Sequence, residues 1–323
     1  MNRQVLFAIF ALIALTYGIC GQPAGQTASP TNPPQPPLVE KEFTISTTSR
    51  LVLLDVSVKD SAGGFAAGLT KENFKITEDG KAQTITQFAD ADIPVTIGLA
   101  IDESGSMRPK RPEVITAALA FIQASNPQDE LFVLNFNEKV HRGLPDTIMF
   151  SDNIKQLRAA LSSGMPEGRT ALYDAIMEGL KQLDMGRKDK KTLIVVSDGG
   201  DNISKAKFKD VVKQVEESVA TVYTIGVFDQ DDPDRNPAVL KRLAEISGGQ
   251  AFFPEKLEGI VPICKGIAKE IRTRYTIGYI PATEGKKLRH IKVIATAPDR
   301  GKLIARTRTL YSFTDEGPTR GSK

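Results

Sequence analysis

Four apolar runs in the middle of the chain constrain the fold more than any other feature. They are VTIGLAI (Val95 to Ile101), LFVLNF (Leu131 to Phe136), TLIVV (Thr192 to Val196) and TVYTIGV (Thr221 to Val227). Near-continuous runs of this length are typical of strands buried on both faces of a parallel sheet. Helical stretches separate them, starting at Pro112, after Thr170, and in FKDVVKQVEESV and PAVLKRLAEIS. Alternation of strand and helix predicts a doubly wound α/β domain with a mostly parallel sheet.

The segments on either side have a different period. Apolar residues alternate at Val52 to Val58, at Tyr275 to Tyr279 and at Ile291 to Ala295, and Asp79-Gly80 is a hairpin signal. Neither flank is long enough for a sandwich of its own. We therefore expect the flanks to pair with each other as a small β-sandwich, with the α/β domain inserted between them.

The N-terminus has the pattern of a targeting segment. Arg3 precedes an apolar stretch from Val5 to Leu15, shorter than the ~18 residues that span a bilayer, so we expect residues 1–21 to be a signal peptide. An uncleaved membrane anchor is the alternative. Cys20 raises a lipid anchor as well, but Ile19 stands where such anchors have a small residue. Residues 22–37 are rich in Pro, Gly and small polar residues and predict an extended linker.

These patterns predict an exported protein, periplasmic or extracellular, with the membrane involved only through an N-terminal anchor. N-terminal sequencing of the exported protein should find a start between Gly21 and Gln26. An intact Met1 in the cytoplasmic fraction would contradict this expectation.

Composition excludes several classes of function. The net charge is +3 and the basic residues are scattered among acids, so no nucleic-acid surface is expected. With two cysteines and two histidines in the chain, the usual zinc sites cannot be built. Cys264 is expected to be a small core residue on a closing helix between Glu255 and Arg274. The acidic loop Asp229 to Asn236 is expected to be a solvated turn, with Ca²⁺ binding as the alternative.

Oxygen-bearing side chains follow the predicted strand ends. Asp102, Ser104 and Ser106 come directly after the first apolar run, Asp198 follows the third, and Thr170 precedes a helix. Ligands of open α/β sheets bind outside the carboxyl ends of the strands. Two carboxylates and three hydroxyls are hard donors that suit Mg²⁺, with Mn²⁺ or Ca²⁺ as alternatives. Each residue alone is as readily explained by a turn or a helix cap.

The middle of the chain resembles a von Willebrand factor type A domain. The resemblance is carried by DESGS (Asp102, Ser104, Ser106), by Thr170 in GRTAL and by Asp198 in SDGGD, which match the metal-ion-dependent adhesion site of that family. It implies that the hydroxyls bind the ion directly or nearly so, that the aspartates act directly or through water, and that a partner's Asp or Glu takes the last position. The flanks resemble a bacterial branch known only as von Willebrand factor A-related.

The resulting prediction divides the chain into a β segment at 38–92, the type A domain at 93–274, a second β segment at 275–315 and a tail at 316–323. Its function is predicted to be metal-dependent capture of a protein partner, for adhesion or scaffolding, and not catalysis.

A metal-dependent hydrolase on the same scaffold, or a scaffold with a non-functional metal site, are the alternatives. The sequence has neither a Gly-x-Ser-x-Gly elbow nor a phosphate-binding Gly-Lys-Ser/Thr loop. His141 and His290 are expected to face solvent. Three hydroxyls without a second carboxylate pair make a poor two-metal site.

Overall fold

The computed structural model describes residues 51–228, 235–282 and 287–312. Its helices are α1 (Arg111–Ala124), α2 (Ile154–Ser162), α3 (Leu172–Asp184), α4 (Phe208–Glu217), α5 (Pro237–Ser247) and α6 (Ile260–Arg272). Its strands are β1 (Val52–Lys59), β2 (Phe74–Glu78), β3 (Lys81–Gln83), β4 (Ile85–Ala89), β5 (Val95–Asp102), β6 (Glu130–Phe136), β7 (Val140–Arg142), β8 (Lys190–Ser197), β9 (Thr221–Gly226), β10 (Ala251–Phe252), β11 (Tyr275–Tyr279), β12 (Leu288–Ala295), β13 (Ile304–Arg306) and β14 (Leu310–Ser312).

The four apolar runs form the centre of a six-stranded sheet in the order β10-β9-β8-β5-β6-β7. All its pairs are parallel except β6 with β7. Every residue of β5, β6, β8 and β9 is buried, which explains why their sequences show no alternation. Helices α1, α2 and α6 pack together as one group, and α3, α4 and α5 as another. The predicted doubly wound α/β domain is confirmed.

The two flanks form one β-sandwich, as predicted. Strand β1 pairs antiparallel with β11, and β12 pairs antiparallel with β2. The two four-stranded sheets, β13-β1-β11-β4 and β14-β12-β2-β3, share one hydrophobic core. Asp79 and Gly80 both have positive φ, 47° and 80°, as the two-residue turn between β2 and β3 requires.

Some predictions are refined and others lie outside the described residues. The closing helix α6 begins at Ile260, because residues Leu257–Gly259 form a separate 3-10 turn, and Pro262 is tolerated in its first turn. Cys264 is buried, and both histidines are exposed, as expected. Among the described residues no helix has the length and apolarity of a membrane span. The signal peptide, the linker, residues 229–234 of the acidic loop and the tail at 316–323 lie outside those residues.

A buried glutamate joins the sandwich to the α/β domain. Glu270 on α6 is 1% exposed and forms ion pairs with Lys59 of β1 (2.7 Å), Arg274 (3.3 Å) and Arg306 of β13 (3.7 Å). Tyr223 of β9 donates a hydrogen bond to it at 2.9 Å. Burial acts to raise the pKa of Glu270, but the three cations outweigh it and lower the pKa to about 2.

Replacing Glu270 by Gln should therefore destabilise the protein in a pH-dependent way. At pH 7 we expect the free energy of unfolding to fall by about 3 kcal/mol, since three cations lose their shared counter-charge. A pKa held below its unfolded value stabilises fully above about pH 4.5, and that contribution is lost as the pH falls toward 2. The difference between parent and variant should close over that range.

Urea unfolding at several pH values measures this difference. Glu258→Gln on the exposed 3-10 turn is the matched control and should change little. A gap between Glu270→Gln and parent that stays constant from pH 7 to pH 2.5 would contradict the assignment.

Candidate metal site

Neighbouring parallel strands bring the two aspartates of the predicted site together. Asp102 is the last residue of β5, and Asp198 directly follows Ser197, the last residue of β8. The two strands pair in register from Val95↔Lys190 to Ile101↔Val196. Parallel strands end at the same edge of a sheet, so the two loops meet there.

Hydrogen bonds link four of the five predicted residues, three of them through their side chains alone. The Ser104 hydroxyl lies 3.1 Å from that of Ser106, and Ser106 donates to Asp198 Oδ2 at 2.5 Å. Asp102 accepts from the Ser104 amide at 2.8 Å and from the Ser197 hydroxyl at 2.6 Å. Asp102, Ser104 and Asp198 are buried, whereas Ser106 is exposed and marks the solvent side of the site.

Thr170, the fifth predicted residue, lies on a loop that is hydrogen-bonded to the loop after β5 and to the loop after β8. The Gly105 amide donates to Gly168 O at 3.0 Å. The Thr170 amide donates to Asn202 Oδ1 at 2.9 Å, and the Asn202 amide returns a bond to Thr170 O at 3.1 Å. Helix α3 starts at Leu172 with Ala171 at its N-cap, so Thr170 does not occupy the cap position. A helix cap therefore does not explain why a threonine stands at position 170.

The loop after β8 caps α3 from outside that helix. Ala171 has no side-chain oxygen, and the Tyr173 amide donates instead to Asp201 Oδ1 at 3.0 Å. The Asp174 amide donates to the Ser204 hydroxyl at 3.1 Å, and Ser204 donates to Asp201 at 2.5 Å. Asp201 and Ser204 thus satisfy amides that a helix start leaves open. Sequence reasoning missed this role, although Asp, Asn and Ser in DNIS are capping residues by type.

Asp102 and Asp198 place two carboxyl groups next to each other in a buried setting. Burial first, and the Asp198 charge second, raise the pKa of Asp102 to about 7, against a lowering effect of the Ser197 hydrogen bond. Among the described residues, neither aspartate has a Lys or Arg ion-pair partner. In the same part of the chain no group of three or more His, Cys, Asp or Glu side chains is arranged to hold a metal. A cation here would therefore depend on hydroxyl oxygens as well as the two carboxylates, a donor set that fits Mg²⁺.

The second residue of DESGS turns away from the site. Glu103 is 2% exposed and its carboxylate lies 2.8 Å from Arg111 Nη2, at the start of α1. Arg111 also donates to Gly164 O at 2.5 Å. The space beside Gly164 is filled by Glu103, since a Cβ there would lie 1.4 Å from Oε2. Glu103 therefore fixes the loop to α1 and to the 163–168 loop.

The fold is a doubly wound α/β domain with a cluster of oxygen-bearing side chains at the carboxyl ends of its strands. The chain belongs to the von Willebrand factor type A domain family, whose model matches residues 96–262. No protein of curated function matches this sequence.

Solved structures with a similar arrangement are distant in sequence. A von Willebrand factor type A protein from Catenulispora acidiphila is 14% identical, with 84% of this chain and 76% of that chain covered and a TM-score of 0.49. BatB from Bacteroides thetaiotaomicron is 16% identical (55% and 98% covered, TM-score 0.44). The von Willebrand domain of the type V pili tip protein Mfa5 from Porphyromonas gingivalis is 14% identical (60% and 99% covered, TM-score 0.43). The family assignment rests on the sequence match.

Gly164→Ala tests the role of Glu103. The added Cβ overlaps the buried carboxylate and must displace it from Arg111, so we expect a loss of about 1–3 kcal/mol in the free energy of unfolding. Gly266→Ala on α6 is the matched control: its Cβ would meet no atom within 4 Å, and it should stabilise by up to ~1 kcal/mol. Denaturant unfolding compares the two, and equal stability for both variants would refute the packing argument.

Proposed function

We propose that this protein is an exported protein-binding module in which Mg²⁺, held by Asp102, Ser104, Ser106, Thr170 and Asp198, captures a carboxylate of a partner protein. Mn²⁺ or Ca²⁺ could replace Mg²⁺ at the same oxygens. The observation that carries the proposal is the bonding of three separate loops around two buried aspartates at one edge of the sheet.

The donor set favours binding through a cation. Two carboxylates and three hydroxyls supply two negative charges, which match a divalent ion, and all are hard oxygens. Bound Mg²⁺ would supply a Lewis-acidic position open to an incoming carboxylate. The protein's own contribution is to hold the oxygens: Ser197 orients Asp102, and Asn202 fixes the Thr170 loop.

The solvent side of the site offers a surface for a partner. Met165 is 74% exposed, in the same loop as Gly168, whose carbonyl bonds the Gly105 amide. Arg108 donates to Pro166 O at 2.9 Å and so braces that loop against the metal-binding loop. A partner whose acidic side chain reaches the ion can therefore bury an apolar contact against Met165.

Binding is favoured over hydrolysis by the neighbours of Ser106. Its hydroxyl bonds Ser104 and Asp198, whereas His141 on β7 and His290 on β12 are exposed. A serine nucleophile is typically activated by a histidine within hydrogen-bonding reach, and the bonds that Ser106 forms with the described residues include no histidine. We therefore propose no enzymatic role. Export rests on the N-terminal sequence pattern.

Asp102→Ala tests the proposed metal site. It removes one of two charges, so Mg²⁺ affinity in isothermal titration should fall ~100-fold or more, with the circular dichroism spectrum unchanged. Without metal, stability should stay equal or rise slightly, because the variant relieves repulsion between Asp102 and Asp198.

Asp189→Ala, exposed near the other end of β8, is the matched control and should bind Mg²⁺ like the parent. Parent-like affinity in Asp102→Ala would show that DESGS is merely a turn.

A further inference from the structure

A second candidate binding region lies beside β10, the edge strand opposite β7 in the six-stranded sheet. A groove of about 580 Å³ opens between β10, the edge strand of the six-stranded sheet, and strands β12 and β13 of the sandwich. Helix α5 and residues 305–309 complete its walls. One strand, β9, separates β10 from β8, the strand that leads to Asp198 of the metal site described above.

The backbone of Ala251 faces this groove. The Thr224 amide of β9 donates to Gln250 O, so the backbone carbonyl of Gln250 points toward β9. Residues of a strand alternate in the side to which their N–H and C=O point, and Ala251 therefore presents both groups away from β9. Within the described residues, β10 has no strand on that side. Such an edge can accept an added strand.

The opposite wall also contains a strand edge. Strand β12 pairs with β2 through Ile291 to Ala295, but with β14 only through Leu288 to His290. The Ile291 amide bonds Thr309 O at 2.8 Å, which leaves Lys292 and Val293 lining the groove beyond the end of that ladder.

The charges around the groove are predominantly positive. Four basic side chains line it, Lys241, Lys292, Arg306 and Arg308, against one acidic side chain, Glu245. Arg306 is paired with Glu270 and bonded to Gln250, so the available positive charge comes from Lys241, Lys292 and Arg308. Lys241 and Glu245 are both exposed and 3.9 Å apart, a weak pair. Lys292 is exposed and forms no ion pair with the described residues.

Arg308 adds a positive charge without a carboxylate partner among the described residues. Its guanidinium bonds main-chain carbonyls, at Leu310 (3.0 Å), Glu216 (3.1 Å) and Ser218. Burial lowers the pKa of Arg308 to about 10, so it still carries its charge at neutral pH. Phe253 ends the groove on the carboxyl side of β10, 40% exposed and stacked on Phe228 at 5.5 Å.

We propose that this groove binds an extended acidic segment of a partner protein, which adds as a strand beside β10. The outward N–H and C=O of Ala251 would bond its backbone, the basic side chains would face its carboxylates, and an apolar side chain would contact Phe253. This binding needs no metal ion and is independent of the function proposed above.

Fluorescence anisotropy with a fluorescein-labelled eight-residue peptide of alternating Glu and Val tests the proposal. The parent should bind it saturably, equally well with Mg²⁺ or EDTA, and should not bind the Lys/Val counterpart. Lys241→Glu/Lys292→Glu should weaken binding about tenfold or more, because two exposed attractions become repulsions. Lys155→Glu, exposed on α2 at the far side of the sheet, has the same kind of charge change and should bind like the parent.

Ala251→Pro separates strand addition from charge attraction. It removes an outward N–H but no bond to β9, and proline is tolerated at such edge positions. We expect a roughly tenfold loss of affinity with an unchanged circular dichroism spectrum. Absence of peptide binding by the parent, or equal binding by the Lys241/Lys292 and Lys155 variants, would overturn the proposal. A folded Ala251→Pro that binds like the parent would overturn the added strand, and if that variant does not fold, the charge variants decide.

Discussion

Asp102 and Asp198 lie side by side because β5 and β8 are neighbouring parallel strands, and the polar edge of the domain is organised around that pair. Two buried carboxylates repel each other, so the surrounding groups are donors: Ser197 bonds Asp102 and Ser106 bonds Asp198. The loop containing Thr170 is joined to the same edge through Asn202. We propose a divalent cation as the partner of this arrangement, because one ion would offset the repulsion between the two buried carboxylates.

Buried ion pairs, rather than the connecting chain alone, join the sandwich to this domain. Glu270 lies on α6, and its ion pairs reach β1 and β13 of the sandwich while Tyr223 reaches it from the central sheet. A buried carboxylate with three cations is favourable only when the cations are held in place. The insertion and its flanks therefore share one electrostatic core, and displacing α6 would break contacts in both parts.

The sequence predicts much of the fold because its strongest signals are local. Fully buried parallel strands appear as continuous apolar runs, and the Asp79-Gly80 turn needs residues that accept positive φ. Other elements have no such signal: β10 is two residues long, and α2 was not predicted. Glu103 looks like another metal-site acid, and only its distance to Arg111 shows a structural role. The Glu270 ion pair with Lys59 joins residues more than 200 positions apart, which no local pattern reveals.

We propose that one divalent cation binds between the loops that follow β5 and β8. A crystal structure of the protein grown with Mn²⁺, with anomalous diffraction data, tests it most directly, because Mn²⁺ prefers the same oxygen ligands and is located without assumptions about the protein. We expect one anomalous peak within ~2.5 Å of oxygens from Ser104 and Ser106, with Asp102, Thr170 and Asp198 bound directly or through water. Full-occupancy Mn²⁺ elsewhere, with none at this edge of the sheet, would contradict it.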